Sequence, residues 1–128
     1  MQTTTSLQPE LYALLSLSPS FKIVSVILRN GPNGWHALDS DGHMPIGVSG
    51  VSEDSVSVTV HFSFTAELVL GFTTSVDEFF SYNDHLVGGA SVGYQTAYLQ
   101  FGKPGVSGPV NPSTLSSSGN VQFIGLFQ

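Results

Sequence analysis

Residues 55–65 (SVSVTVHFSFT) alternate without a break: Val56, Val58, Val60, Phe62 and Phe64 fall on one side, and Ser55, Ser57, Thr59, His61, Ser63 and Thr65 on the other. Successive side chains of a strand point to opposite faces, so this pattern predicts a strand with one face in a core and the other wet or against a polar surface. Residues 21–28 (FKIVSVIL) and 121–127 (VQFIGLF) are nearly continuous in apolar character, which predicts strands covered on both faces. Shorter strands are expected at 34–38, 67–73 and 94–101, with 76–82 extending or following the second of these. Residues 84–93, with Gly88 and Gly89 adjacent, read as looser.

Turn chemistry separates these runs. Residues 30–34 (NGPNG) supply Gly and Asn able to take positive φ, and residues 39–42 (DSDG) form a second turn, so the region around 34–38 reads as a hairpin. Residues 102–120 form a long Gly-, Pro- and Ser-rich stretch, of the kind that carries a function or lies against a partner. At the other end, residues 1–8 read as a loose docking arm. Residues 9–17 read as one short helix, with Pro9 at its start, Glu10 near its positive end, Leu11, Leu14 and Leu15 on one side, and Pro19 stopping it. The expectation is an arm or short helix over 1–20 and one all-β domain over 21–128. Roughly seven short strands between turns predict a single antiparallel β-sandwich, jelly-roll-like.

Composition narrows the function. Only 9% of the 128 residues are charged, against about 25% in ordinary soluble domains. The cations are Lys22, Arg29 and Lys103, and the net charge is −6. Nucleic-acid binding needs clustered Lys and Arg to displace counterions from phosphates, and membrane-surface binding needs a basic amphipathic segment; neither is present. No apolar run approaches the roughly 18 residues of a membrane-spanning helix, and the polar start does not read as a signal peptide. No cysteine is present, which removes disulfides, thiolate metal sites and cysteine nucleophiles. High hydrophobicity with little charge suits a protein whose surface is largely covered by neighbours.

Catalytic and metal chemistry is not signalled. Asp39, Asp41 and Gly42 open like a calcium loop, but Gly50 stands where the loop needs its bidentate Glu, and nothing in the sequence brings Glu53 and Asp54 to it. His36, His43, His61 and His85 lack metal-ligand spacing. Asp77 and Glu78 are adjacent, so on a strand they face opposite ways and cannot act as a pair. No nucleophile elbow, phosphate loop or dinucleotide fingerprint occurs. The expectation is no enzyme, no metal and no cofactor. The remaining lead is aromatic: Trp35, Tyr82, Tyr94 and Tyr98 are candidates for stacking on sugars or anchoring a contact, with Trp35 expected to be partly exposed beside its turn.

Two stretches carry a resemblance: residues 34–48 (GWHALDSDGHMPIGV), with a Trp, an Asp-Gly-His turn and then Pro and Gly, and the closing residues 110–115 (VNPSTL) and 119–127 (GNVQFIGLF). Together they resemble the β-rich distal domains of minor tail and tail-fibre proteins of long-tailed phages, especially those of actinobacterial hosts. The resemblance implies a non-enzymatic virion component of the tail tip, active in assembly or host-surface attachment. In that family such a domain caps a longer fibre behind a shaft; no shaft precedes Trp35 here, which admits a capsid decoration protein with a docking arm. A free carbohydrate-binding module is the competing reading. The partners expected are a homotrimer, other virion proteins and a host glycan, with Phe21, Ile23, Val24, Phe123, Ile124, Leu126 and Phe127 as interface residues and the 102–120 loop as adaptable contact.

Overall fold

A computed structural model describes residues 21–38 and 44–128. The arm and helix expected over residues 1–20, the turn at 39–42, and Asp39, Asp41 and His43 lie outside the described residues. Eight strands follow in chain order: β1 (Lys22–Gly31), β2 (Gly34–Leu38), β3 (Val48–Glu53), β4 (Val58–Phe62), β5 (Val69–Val76), β6 (Val87–Val92), β7 (Thr96–Gly102) and β8 (Val121–Phe127). They form two four-stranded antiparallel sheets, β2-β1-β8-β5 and β3-β4-β7-β6, packed face to face as a β-sandwich. The all-β architecture read from the sequence is the one observed.

The two apolar runs depart from expectation. In β1, Val24, Val26 and Leu28 are buried while Ile23, Ser25 and Ile27 point outward; in β8, Val121, Phe123, Gly125 and Phe127 are buried while Ile124 is exposed. Within one chain neither strand is covered on both faces, so their apolar runs reflect one core face and one aliphatic outer face. β8 lies between β1 and β5, with Val26 opposite Phe123 and Thr74 on the far side. The inward residues of the second sheet, Val58, Val60, Phe62, Ala97, Leu99 and Phe101, close the core. Rings fill its two ends. Phe62 meets Phe127 at 4.8 Å and Phe64 at 5.4 Å, and Trp35 stacks on Phe101 at 5.6 Å.

Other boundaries move for local reasons. The strand expected over 55–65 is shorter, because Asp54 folds the chain into a tight turn before it. The Asp54 carboxylate accepts from the backbone N–H of Val56 and of Ser57, each at 2.8 Å, and from the Ser57 hydroxyl at 3.2 Å. Val56 is thereby exposed at the turn, while Ser57 and Thr59 are buried. Residues 76–82 are not a strand beyond Val76. Asp77 leaves β5 and accepts from the N–H of Phe80 and of Asn120, and a π-helical turn, Phe80–Asp84, follows. That turn sets Phe80, fully buried, against Gly119, where any Cβ would strike its ring. Residues 84–93 are not loose, since β6 pairs with β7 along its whole length. The β1–β2 turn closes through Pro32 and Asn33 between paired Gly31 and Gly34, and Gly34 takes φ +99°.

The long stretch after β7 is a loop in part only. Val110, Pro112, Leu115 and Gly119 are buried, and Asn111 caps a 3-10 turn, Pro112–Thr114, by accepting from the Ser113 N–H. Asn30 donates to the Leu115 carbonyl at 2.8 Å. This half of the loop is a lid on the Trp35 end of the sandwich rather than an adaptable contact surface.

Gly125 lies between Val24 and Phe72 in register, and a Cβ there would come within 2.7 Å of the Phe127 ring and 3.1 Å of the Phe123 ring. Gly125→Ala should therefore destabilise the fold by about 1–3 kcal/mol through overpacking, read as a lower urea midpoint at an unchanged slope. A second expectation concerns acid. The backbone N–H groups of Val56 and then Ser57 hold the Asp54 carboxyl below the usual aspartate value of 3.8. A group with a lowered folded pKa adds stability that is complete above its unfolded pKa and is lost as pH falls through the folded one. Melting temperature measured from neutral to strongly acid solution should fall less steeply for Asp54→Ala than for the native chain.

Candidate functional site

Strand register sorts the outward side chains into two unlike faces. On the first sheet, rows run Leu38–Ile27–Gln122–Ser75, then Ser25–Ile124–Thr73, then Ile23–Leu126–Gly71. The face is aliphatic at its centre and fringed by small polar groups, with Ile23, Ile27 and Ile124 each more than a third exposed. At one end Arg29, paired in register with His36, donates from Nε to Asn120 Oδ1 at 2.8 Å, and Asp77 lines a hollow there with Ile27, Ser75 and Gln122. The outward residues of the edge strand β5 are Gly71, Thr73 and Ser75, while Leu70, at the register shift, is exposed and Phe72 reaches past the edge from the core side, stacked on Phe123 at 6.4 Å.

The outer face of the second sheet is polar. One row, Ser52–Thr59–Tyr98–Ser91, crosses all four strands, flanked by His61–Thr96 on one side and Gln100–Gly89 on the other. The Ser52 hydroxyl and His61 Nε2 lie 2.8 Å apart. A serine beside a histidine is the start of a nucleophile–base arrangement, yet no carboxylate hydrogen-bonds to that imidazole among the described residues, and the pair sits on an open sheet face. A shallow depression of about 420 Å³ lies on the β6–β7 side of this face, lined by Gly89, Ala90, Ser91, Tyr98 and Gln100.

The candidate residues scatter over these surfaces. Val24, Phe123 and Phe127, expected at a subunit interface, are in the chain's own core with no exposure. They are unavailable to a partner, because strand parity turns them inward. Ile23 and Ile124 are on the aliphatic face with the half-buried Leu126; Phe21 is half-buried beside Lys22 and Ile46, in an apolar hollow at the sandwich end. Ile27 and Leu38 belong to the same face and were not singled out from the sequence, although Ser25 within the apolar run is the signal that β1 alternates.

The aromatic set also divides. Trp35 is 5% exposed, contrary to the expectation of partial exposure. It stacks on Phe101 and donates from Nε1 to the Pro112 carbonyl at 2.9 Å, while its backbone N–H donates to Glu53 Oε1 at 2.8 Å. Tyr82 is exposed on the π-helical turn, Tyr94 in the β6–β7 turn and Tyr98 in the middle of the polar face. The structure does not gather the four into one site. Asp77 and Glu78 do not flank a strand, and Asp77 is engaged with backbone groups. Among the described residues, no cluster of three His, Asp or Glu side chains could hold a metal ion, and no helix is long and apolar enough to cross a membrane. Comparison with family models, curated proteins and solved structures finds no match to this chain.

Trp35 is a structural residue by this geometry. Trp35→Phe keeps a ring against Phe101 but strands the Pro112 carbonyl, and a buried acceptor left unpaired costs about 1–3 kcal/mol. Chemical unfolding should show that loss, with no change in the mass of the native species by light scattering.

Proposed function

We propose that the chain is a non-enzymatic structural component of a bacteriophage virion, of the tail-tip kind, that assembles as a homotrimer and serves assembly or host-surface attachment. The observation that carries this reading is the outer face of the first sheet. Ile23, Ile27, Ile124, Leu126 and Leu38 form a contiguous aliphatic surface whose ionisable neighbours stand at its margins, Arg29, His36 and Asp77 towards one end and Lys22 at the other. Exposed apolar patches of this kind mark contact sites, since covering them gains about 25 cal/mol per Å². The β5 edge beside it, with Leu70 and Phe72 exposed, lacks the charged residues that keep free edges from pairing. A threefold ring of identical heterologous contacts covers such a face on every copy and leaves none open. The low charge of the chain and its resemblance to tail and tail-fibre domains support the virion setting, and other virion proteins are the further partners.

Light scattering coupled to size exclusion tests the assembly. A trimer is expected at about 10 μM, a concentration at which contacts of micromolar affinity or better hold. Ile124→Glu places a charge at the centre of the face and should convert the trimer to a folded monomer. A native chain that runs as a monomer overturns the trimer, and an Ile124→Glu chain that stays trimeric moves the contact elsewhere.

A further inference from the structure

The polar outer face of the second sheet is left over once the aliphatic face is assigned to assembly, and its chemistry is specific. We infer that the depression beside Tyr98 is a binding site for a neutral glycan, which gives the attachment reading above its ligand class and rests on that reading only for its biological setting. Tyr98 is 47% exposed at the middle of the face. Of the hydroxyls in its row, Ser91 on β6 is exposed and lines the depression with it, while Thr59 on β4 is buried and Ser52 lies beyond on β3. Gln100 adds an amide two residues along the same strand, with both donors and an acceptor. An aromatic ring offers the flat apolar platform on which the C–H face of a pyranose stacks, and flanking hydroxyls and amides exchange hydrogen bonds with its OH groups.

The floor of the depression is made by the missing side chain of Gly89. A Cβ built there meets nothing within 4 Å, so the space above this glycine is open, and its backbone does not take the positive φ that would require glycine. The hollow, about 420 Å³ and open to solvent, leaves room for a sugar ring to lie against Tyr98. Charge selects the ligand further. No Asp, Glu, Lys or Arg stands at an outward paired position of this sheet. A uronate, sulfate or phosphate has no cation to meet there and approaches a chain of net charge −6. A cationic peptide finds no carboxylate, and a protein contact of ordinary strength needs more apolar anchors than Tyr98 and the exposed Val87 at the end of β6. A neutral sugar needs none of these.

The test is titration of the isotope-labelled full chain, followed by amide resonances, with three neutral probes (cellohexaose, mannohexaose and a hexamer of N-acetylglucosamine) and with polygalacturonate as the anionic comparison. At least one neutral probe should shift the resonances around Tyr98, Ser91 and Gln100, with affinity in the millimolar range or better. Tyr98→Ala should weaken that binding at least about tenfold, as loss of a stacking anchor does. Gly89→Val should do the same by filling the hollow, and because its Cβ has open space the melting temperature should not fall, which separates a blocked site from a damaged fold. The inference is overturned if no neutral probe shifts these resonances up to about 10 mM, near −3 kcal/mol, if polygalacturonate binds them equally well, or if both variants bind as the native chain does. Glycan binding by a chain that proves monomeric would remove the trimer and leave this site standing.

Discussion

Everything in this sandwich hangs on the insertion of β8 between β1 and β5. Its hydrogen bonds turn a hairpin and a separate strand into one sheet, and its inward Val121, Phe123 and Phe127 carry much of the core of that sheet. Gly125 is the concession that lets two phenylalanines two residues to either side share the interior, since their rings occupy the space of its absent Cβ. The pairing of Ile23 with Leu126 spans nearly the whole described chain. Contacts of such separation must be reached through loop closure before they contribute anything, so the sheet forms late relative to the local β3–β4 and β6–β7 hairpins.

The same strand order divides the surface. Parity along β1 and β8 sends Val, Leu and Phe inward and leaves isoleucines and Leu126 outward, whereas parity along β4 and β7 leaves threonine, histidine, tyrosine and glutamine outward. The two outer faces therefore differ in kind although they belong to sheets of equal size. An aliphatic face is satisfied by a large dry contact, and a neutral hydroxyl face by a ligand that is itself rich in hydroxyls. One chain can do both at once because the sandwich holds the faces on opposite sides of its core.

How much of this was legible in the residues depended on how local the cause was. The alternation of Val58, Val60 and Phe62 and the turn at residues 30–34 are local, and both are where the pattern puts them. The apolar runs at 21–28 and 121–127 pointed to cover on both faces; within one chain only the inner face is covered, and since hydrophobicity alone does not tell a core from a surface that takes a partner, only Ser25 and Gln122 marked the alternation. β6 was hidden by Gly88 and Gly89, residues that weaken a strand intrinsically and are kept here by pairing with Phe101 and Gln100. The burial of Trp35 depends on a carbonyl 77 positions away, whereas the exposure of Tyr98 follows the local alternation of Ala97, Leu99 and Phe101. The first of these leaves no trace in local composition.

The lone tryptophan gives the chain an optical property of its own. Trp35 is buried in the core, stacked on Phe101 with its edge held by the Pro112 carbonyl. Its fluorescence should accordingly be that of an indole shielded from water, shifting only when the loop lid lifts or the sandwich opens. Contacts made on the aliphatic face or sugars settling against Tyr98 leave it dark to change. The emission of this single side chain thus reports on the integrity of the fold while remaining blind to whatever the fold is holding.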